Sequence, residues 1–153
     1  MRSSRLRFVR AERCMNDERS HARAWLAKAE SDRLAARRLL EAGGPFDAVC
    51  FHAQQACEKA LKAVLAAAGT EIPRTHNVEE LQIRSVRLLP TSSASILESL
   101  DLSELTPYAV ETRYDAEFWP DRPTADAAVK YADRVVDLIS AWLSDEGNAA
   151  PLE

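Results

Sequence analysis

A stripe of small and apolar residues between Pro45 and Gly69 constrains the fold more than any other feature of the chain. The segment FDAVCFHAQQACEKALKAVLAAAG follows Pro45 and ends at Gly69. Its apolar positions recur every three or four residues, as in a helix with one buried face. They are Val49, Ala53, Ala56, Cys57, Ala60, Leu61, Val64 and Leu65. Because most of these side chains are small, a neighbouring helix can approach closely, so the segment is predicted to be a helix of a bundle.

Further segments show the same periodicity or helix-capping signals. The first predicted helix runs from about Ala22 to Glu41, where Gly43-Gly44 stops it. Another runs from Val78 to about Leu89 with Asn77 as N-cap, followed by a weaker helical stretch from Ser95 to Leu105. A short helix from Thr106-Pro107 to about Tyr114 precedes the last one, which runs from Ala125, behind the cap Thr124, to about Ser144. The connections are short. The sequence therefore predicts an all-α fold, an antiparallel up-and-down bundle of four to five helices.

The formal charge of −4 hides an asymmetry between the N-terminus and the rest of the chain. Residues 1–14 hold five arginines and one glutamate, a net charge of +4, so the remaining 139 residues carry −8. This acidic body is not expected to attract nucleic acid uniformly. We interpret residues 1–21 as a disordered arm, or as a mis-assigned start with initiation at Met15, residues 22–146 as the helical domain, and residues 147–153 as a frayed tail.

The cysteines and histidines indicate neither a disulfide framework nor a metal site. Cys50 and Cys57 are seven residues apart, about 10 Å along a helix, which is too far for a disulfide. A reducing cytoplasm is therefore the expected location. The three histidines do not approach a zinc-binding spacing, and no apolar run is long enough for a membrane span. No metal or cofactor is predicted.

Polar residues on the central helix form the first candidate site. They fall near one line, which could hold a phosphate and the edge of a base, and they are His52, Gln55, Lys59 and Lys62. Alternatively, the line is a solvated face in which Glu58 and Lys62 form an i,i+4 ion pair worth roughly 0.2–0.5 kcal/mol. A third interpretation places Gln54, Gln55 and Glu58 at a dimer seam, where buried polar side chains would fix the register.

The stretch TRYDAEFWP, residues 112–120, forms the second candidate site because it combines an arginine with three aromatic residues. In one interpretation Phe118 and Trp119 pack against the last helix while Pro120 fixes the turn. In the other, the aromatic side chains are a platform on which a base stacks while Arg113 holds a phosphate.

Several segments resemble the HEPN domain family. They are WLAKAESDRLAARRLL (25–40), FHAQQACEKALKAVLAAAG (51–69), PRTHNVEEL (73–81) and TRYDAEFWP (112–120). The resemblance extends over about residues 22–146. It implies a bundle that is commonly dimeric, a link to nucleotides or RNA, and a minimal nucleotidyltransferase as partner in a toxin–antitoxin-type pair.

Ribonuclease members of that family carry an arginine followed, after four to six residues, by a histidine that can act as general acid or base. Arg113 matches the arginine by position. The histidine should fall at Phe118, Trp119 or Pro120, and none of these can transfer a proton. Exposed carboxylates such as Asp115 or Glu117 are poor acids near neutral pH. Arg113 is thus a catalytic candidate without its histidine.

Three smaller expectations complete the sequence analysis. Arg74 and His76 in the PRTHN loop could bind phosphate, or His76 could stabilise the loop. Tyr114 belongs to the candidate nucleotide site, and Tyr114 or Tyr108 could accept a nucleotide from a partner. The predicted function is a nucleotide- or RNA-associated binding and dimerisation module. The alternatives are a divergent ribonuclease toxin that uses Arg113 and a purely structural dimerising scaffold.

Overall fold

The computed structural model describes residues 2–148, with side chains described for Arg7 and for residues 9–146. Its helices are α1 (Arg2–Glu41), α2 (Phe46–Ala67), α3 (Val78–Val86), α4 (Thr91–Glu98), α5 (Tyr108–Tyr114) and α6 (Arg122–Asn148), with a 3-10 turn at Ser103–Leu105. No strand occurs within residues 2–148. The predicted all-α fold is confirmed, and the bundle agrees roughly with the expected four to five helices.

The α2 helix lies at the centre of the bundle and contacts α1, α3, α5 and α6. Every residue of its predicted apolar stripe is buried. On α1, buried alanines recur every seven residues, at Ala22, Ala29 and Ala36. Small side chains on both helices let the two backbones approach closely. The close approach of a neighbouring helix, which the sequence predicted, follows from this packing, whereas the central position of α2 is a finding of the structure.

A tight turn reverses the chain between α1 and α2. Gly43 and Gly44 have φ angles of 87° and 114°, in the left-handed region that glycine adopts without steric penalty. The Gly44 amide donates to the Leu39 carbonyl at 2.8 Å, which pairs one of the last free carbonyls of α1. The two helices are therefore antiparallel neighbours.

Ion pairs fasten α6 antiparallel to α1. Arg33 contacts Asp137, and Arg37 Nη2 lies 2.7 Å from Asp133 Oδ1. Nearer the other end, Arg19 donates to the backbone carbonyl of Glu146 at 2.6 Å. The contacts pair rising residue numbers on α1 with falling numbers on α6, so these two helices are antiparallel. Because α1 and α2 are also antiparallel, α2 and α6 run parallel to each other.

The structure corrects the predicted start of α1. The helix begins at Arg2 rather than near Ala22, so residues 2–21 continue the first helix instead of forming a disordered arm. No glycine or proline interrupts residues 2–41, and the segment is rich in strong helix formers. Its high charge density misled the sequence interpretation, because charge alone does not break a helix.

Other helix bounds also differ from those predicted. The α3 helix ends at Val86 rather than near Leu89. The α4 helix begins at Thr91, directly after Pro90, and ends at Glu98. The rest of the helix predicted from Ser95 to Leu105 is replaced by the short 3-10 turn at Ser103–Leu105. Proline fits just before a helix because its fixed φ is already helical. The α6 helix extends from Arg122 to Asn148, so residues 147 and 148 belong to it, and the rest of the predicted frayed tail lies outside the described residues.

Candidate functional site

A buried polar cluster on α2 is centred on the carboxylate of Glu58, which is only 3% exposed. Lys62 Nζ donates to Glu58 Oε1 at 2.8 Å, and Gln54 Nε2 donates to Oε2 at 2.9 Å. His76 Nδ1 lies 3.1 Å from the same Oε2. Gln55 Nε2 donates to Gln54 Oε1 at 2.7 Å. The carboxylate thus has partners on both oxygens, as a buried charge requires.

Two opposing effects act on the pKa of Glu58. Burial raises the pKa, because it disfavours the ionised form, whereas the hydrogen bonds from Lys62 and Gln54 lower it. The hydrogen bonds outweigh burial, so the pKa of Glu58 lies below its ordinary value. Lys62 also lies 5.5 Å from the ring centroid of Trp25 on α1, within cation–π range. This cluster connects α1, α2 and the loop before α3.

The candidate residues along α2 do not share one exposed face. Lys62 is only 7% exposed, and its ammonium group is used by Glu58. The predicted ion pair between these residues exists, but it is buried rather than solvated. Gln54 and Glu58 are buried within one chain and bind each other, which leaves them no surface for the dimer seam that was considered.

A second polar cluster joins α2 to α1 through Asp32. His52 Nδ1 lies 2.8 Å from Asp32 Oδ1, and Lys59 Nζ lies 2.5 Å from Oδ2. The carboxylate of Asp32 is largely buried, whereas about a third of the His52 side chain stays exposed. Since Asp32 holds Nδ1, the other ring nitrogen of His52 is the one left for an outside ligand.

Arg113 lies at the end of α5 and is exposed. Its Cζ atom is 5.2 Å from the ring centroid of Phe51 on α2, which supports the planar guanidinium from below. No acidic residue within the described part of the chain forms an ion pair with Arg113. Its N–H donors therefore face solvent. The Phe51 ring also contacts the ring of His52, with 5.4 Å between centroids.

Two exposed aromatic side chains lie close to Arg113 in the sequence. Tyr114 is 79% exposed and Trp119 is 75% exposed, and the Trp119 indole donates to the Ala116 carbonyl at 3.1 Å. Phe118 instead packs on the core and lies 5.5 Å from Tyr108 between ring centroids. Phe118 therefore packs on the core and contacts α5 through Tyr108, whereas Trp119 is exposed and does not pack as the packing interpretation expected.

Arg74 and His76 do not act together in this structure. Arg74 is exposed, whereas His76 joins the Glu58 cluster through Nδ1. The tyrosines also differ: Tyr108 is buried, and burial raises its pKa to about 12. Of the two, only Tyr114 presents its hydroxyl to an outside reagent.

The two buried cysteines are free thiols. Burial raises the pKa of Cys50 to about 12 and raises the pKa of Cys57 further above its ordinary value, so both thiols stay protonated. Over the part of the chain that the structure covers, no group of three or more metal-ligating side chains comes together. Within the same residues, no helix has the length and hydropathy needed to cross a membrane.

Asp32 and Phe51 are the two site residues that the sequence analysis missed. Asp32 and Gln55 are equally far from the Gly43–Gly44 turn, with His52 and Lys59 about one turn to either side of Gln55. Matching charges across the predicted antiparallel hairpin would have found Asp32. Nothing in the sequence indicates Phe51, because its contact with Arg113 depends on how α5 folds back on α2.

Together, the central α2 helix, its polar clusters and the arginine at the end of α5 define a helical-bundle protein with an exposed guanidinium site. The HEPN domain model matches residues 22–142. The chain therefore belongs to the HEPN domain family.

Solved structures agree with this assignment. TT1696 from Thermus thermophilus is 25% identical, with a TM-score of 0.60, and the match covers 78% of this chain and 96% of that one. ST0689, an archaeal HEPN homologue, is 23% identical, with a TM-score of 0.54, and the match covers 80% and 97% of the two chains. The comparison with curated proteins gives no significant match.

Proposed function

We propose that this chain is a HEPN module that binds a nucleotide or RNA through Arg113 without cleaving it, dimerises, and works beside a minimal nucleotidyltransferase. The observation that carries the proposal is the state of Arg113. Its guanidinium is exposed, lies against Phe51 and has no acidic partner in the described chain, and the same stretch of sequence carries the exposed Tyr114 and Trp119. A planar guanidinium fork fits a phosphate, and exposed aromatic rings fit a base.

The surroundings of Arg113 support recognition rather than cleavage. Phe118, Trp119 and Pro120 occupy the positions where a ribonuclease of this family would carry its histidine. Nearby, Asp115 accepts a hydrogen bond from the Glu117 amide at 2.9 Å and shapes the turn. An exposed carboxylate is ionised at neutral pH and makes a poor general acid. Binding thus has its groups in place, whereas proton transfer does not.

A partner surface accompanies this site in the proposal. Val110 and Tyr114 lie one turn apart on α5, and both are more than half exposed. Exposed apolar side chains on one helix face are typical of interaction surfaces. We assign Val110 on this face to the dimer contact, and we assign to Tyr114, at the end of α5, the hydroxyl that a nucleotidyltransferase partner would reach.

One observation favours a second candidate, a divergent ribonuclease. His52 on α2 and Arg113 on α5 both contact the Phe51 ring. Asp32 holds His52 Nδ1, as an orienting carboxylate holds a catalytic histidine. However, Lys59 also binds the Asp32 carboxylate, which weakens the interaction of that carboxylate with the His52 imidazole. Recognition therefore remains the better-supported function.

Calorimetric titration with nucleoside monophosphates tests the proposal. Arg113→Ala should weaken binding at least tenfold, because it removes a charge-assisted phosphate contact worth about 1.5–3 kcal/mol. Arg113→Lys should restore only part of it, since lysine lacks the bidentate fork. Arg87→Ala, an exposed arginine beyond α3, is the matched control. Equal affinities for wild type and Arg113→Ala would refute the site.

A further inference from the structure

The described N-terminal side chains of α1 are not covered by a partner helix. Among the described residues of α1 the first buried one is Ala22, and before it Arg7 and all of residues 9–17 are exposed. We call residues 2–17 the basic arm. At 1.5 Å per residue the basic arm continues α1 by about 24 Å. It lies before the stretch that the family model matches, which begins at residue 22, so its role is separate from that of the shared bundle.

The basic arm differs in charge from the rest of the molecule. It holds five arginines against Glu12 and Asp17, while residues 18–153 are strongly acidic. Its described arginines, Arg7, Arg10 and Arg13, are exposed. None of these three forms an ion pair with the described residues. A polyanion approaching this protein would therefore be attracted to the arm and repelled elsewhere.

The sequence pattern of the basic arm distinguishes between two kinds of polyanion. A helix that lies on an anionic membrane gathers its apolar residues on one face. By helical register, Val9 and Met15, the two large apolar residues of the arm whose side chains are described, lie about 120° apart around the helix. The phosphate backbone of a nucleic acid fits this pattern better than a lipid surface.

We infer that the basic arm binds the phosphate backbone of single-stranded RNA, while the acidic bundle confines that contact to the arm. The choice of RNA rests on the proposed function, which supplies the class of ligand at Arg113. Contact with the arm requires a ligand of several nucleotides and makes the binding depend on salt. Binding of a single nucleotide at Arg113 does not require the arm. Three arginine contacts would release about two counterions from single-stranded RNA.

Fluorescence anisotropy of a labelled oligouridine of about 16 nucleotides, titrated at several salt concentrations, tests this inference. The variant Arg7→Gln/Arg10→Gln/Arg13→Gln should bind about 10- to 100-fold more weakly at low salt. Its plot of log affinity against log salt should be shallower by about two. The matched control is Arg23→Gln/Lys28→Gln/Arg38→Gln, which removes the same charge from exposed positions on the same helix.

Each outcome supports or overturns the inference. If the slope of log affinity against log salt is unchanged in the arm variant, the inference is overturned. It is also overturned if the control variant loses as much RNA affinity, because net charge alone would then explain the loss. Arm-dependent binding to phosphatidylserine vesicles, without binding to RNA, also overturns it. The proposed function is judged separately by mononucleotide titration of Arg113→Ala. That titration leaves the arm intact, so either idea can fail alone. Far-UV circular dichroism checks that every variant keeps its helix content.

Discussion

The Glu58 carboxylate shows how one residue can connect three parts of a small bundle. It is buried on α2, receives the ammonium group of Lys62, and reaches the loop before α3 through His76. Gln54 completes the set of donors. A charge in this position is tolerated only while its partners remain. The cluster is therefore a structural element rather than a ligand site.

Replacing Glu58 with alanine should strongly destabilise the fold. The change leaves the Lys62 ammonium buried without its partner, a loss of about 3–5 kcal/mol in the free energy of unfolding. Glu80→Ala is the control, because Glu80 pairs with Arg84 at the same i,i+4 spacing but in solvent. That control should lose less than about 1 kcal/mol. Urea denaturation measures both, and similar losses would show that the cluster is not buried as described.

The pH dependence of stability should also report on Glu58. Its pKa is lower in the folded chain than the ordinary value of 4.5. The contribution of Glu58 to the free energy of unfolding is therefore fully present above its unfolded-state pKa and is lost as the pH falls through its folded-state pKa. Between about pH 5 and pH 3, wild type should lose more stability than Glu58→Gln, which has no proton to gain. If the free energies of unfolding of the two proteins, measured by urea denaturation, change equally with pH, this prediction is contradicted.

At the scale of elements, the close contact between α1 and α2 depends on small side chains. Ala29→Leu on α1 inserts a larger group at a fully buried position and should cost about 1–3 kcal/mol of stability. Ala27→Leu, at an exposed position on the same helix, should change stability by less than about 0.5 kcal/mol. Thermal unfolding followed by circular dichroism measures the difference, which vanishes if the helices can separate freely.

The elements with strong periodicity were predictable, and those determined by context were not. The α2 stripe, the antiparallel α1–α2 turn and the short α5 helix follow from local spacing, glycine and proline. The helical extension of α1 was missed because charge was taken as a sign of disorder. The start of α4 was missed because Pro90 was interpreted only as the end of α3.

The candidate site was predictable in part of its residues but not in their grouping. Arg113 was selected because it matches by position the arginine of the family that the sequence resembles, whereas Asp32 and Phe51 were missed. The pairing of His52 and Lys59 with Asp32 joins residues 20 and 27 positions apart. The exposure of Trp119 depends on the path of one turn. Such contacts arise from tertiary packing, which spacing within a single helix does not encode.

At the scale of the whole molecule, dimerisation through α5 makes a simple prediction. Val110→Asp places a charge in the proposed contact and should convert dimers to monomers. Ile83→Asp is the control, since Ile83 is equally exposed but lies on α3. Light scattering coupled to size-exclusion chromatography distinguishes the two states. A dimer that survives Val110→Asp and dissociates with Ile83→Asp would place the interface elsewhere.

The proposed nucleotidyltransferase partner is tested by purifying the native complex. Affinity capture of this chain from its own cells, followed by mass spectrometry, should recover a small nucleotidyltransferase. A Tyr114→Phe chain should remain bound yet resist nucleotide transfer, because Tyr108 is buried. Transfer to Tyr114→Phe at an unchanged rate would exclude Tyr114 as the acceptor.

The most direct measurement of the central claim follows labelled RNA incubated with highly purified protein, recording binding and strand breakage in the same sample. Wild type should bind the RNA and leave every strand intact, and Arg113→Ala should bind it more weakly. Strand breakage by wild type that disappears in Arg113→Ala would contradict the claim and make this chain a ribonuclease.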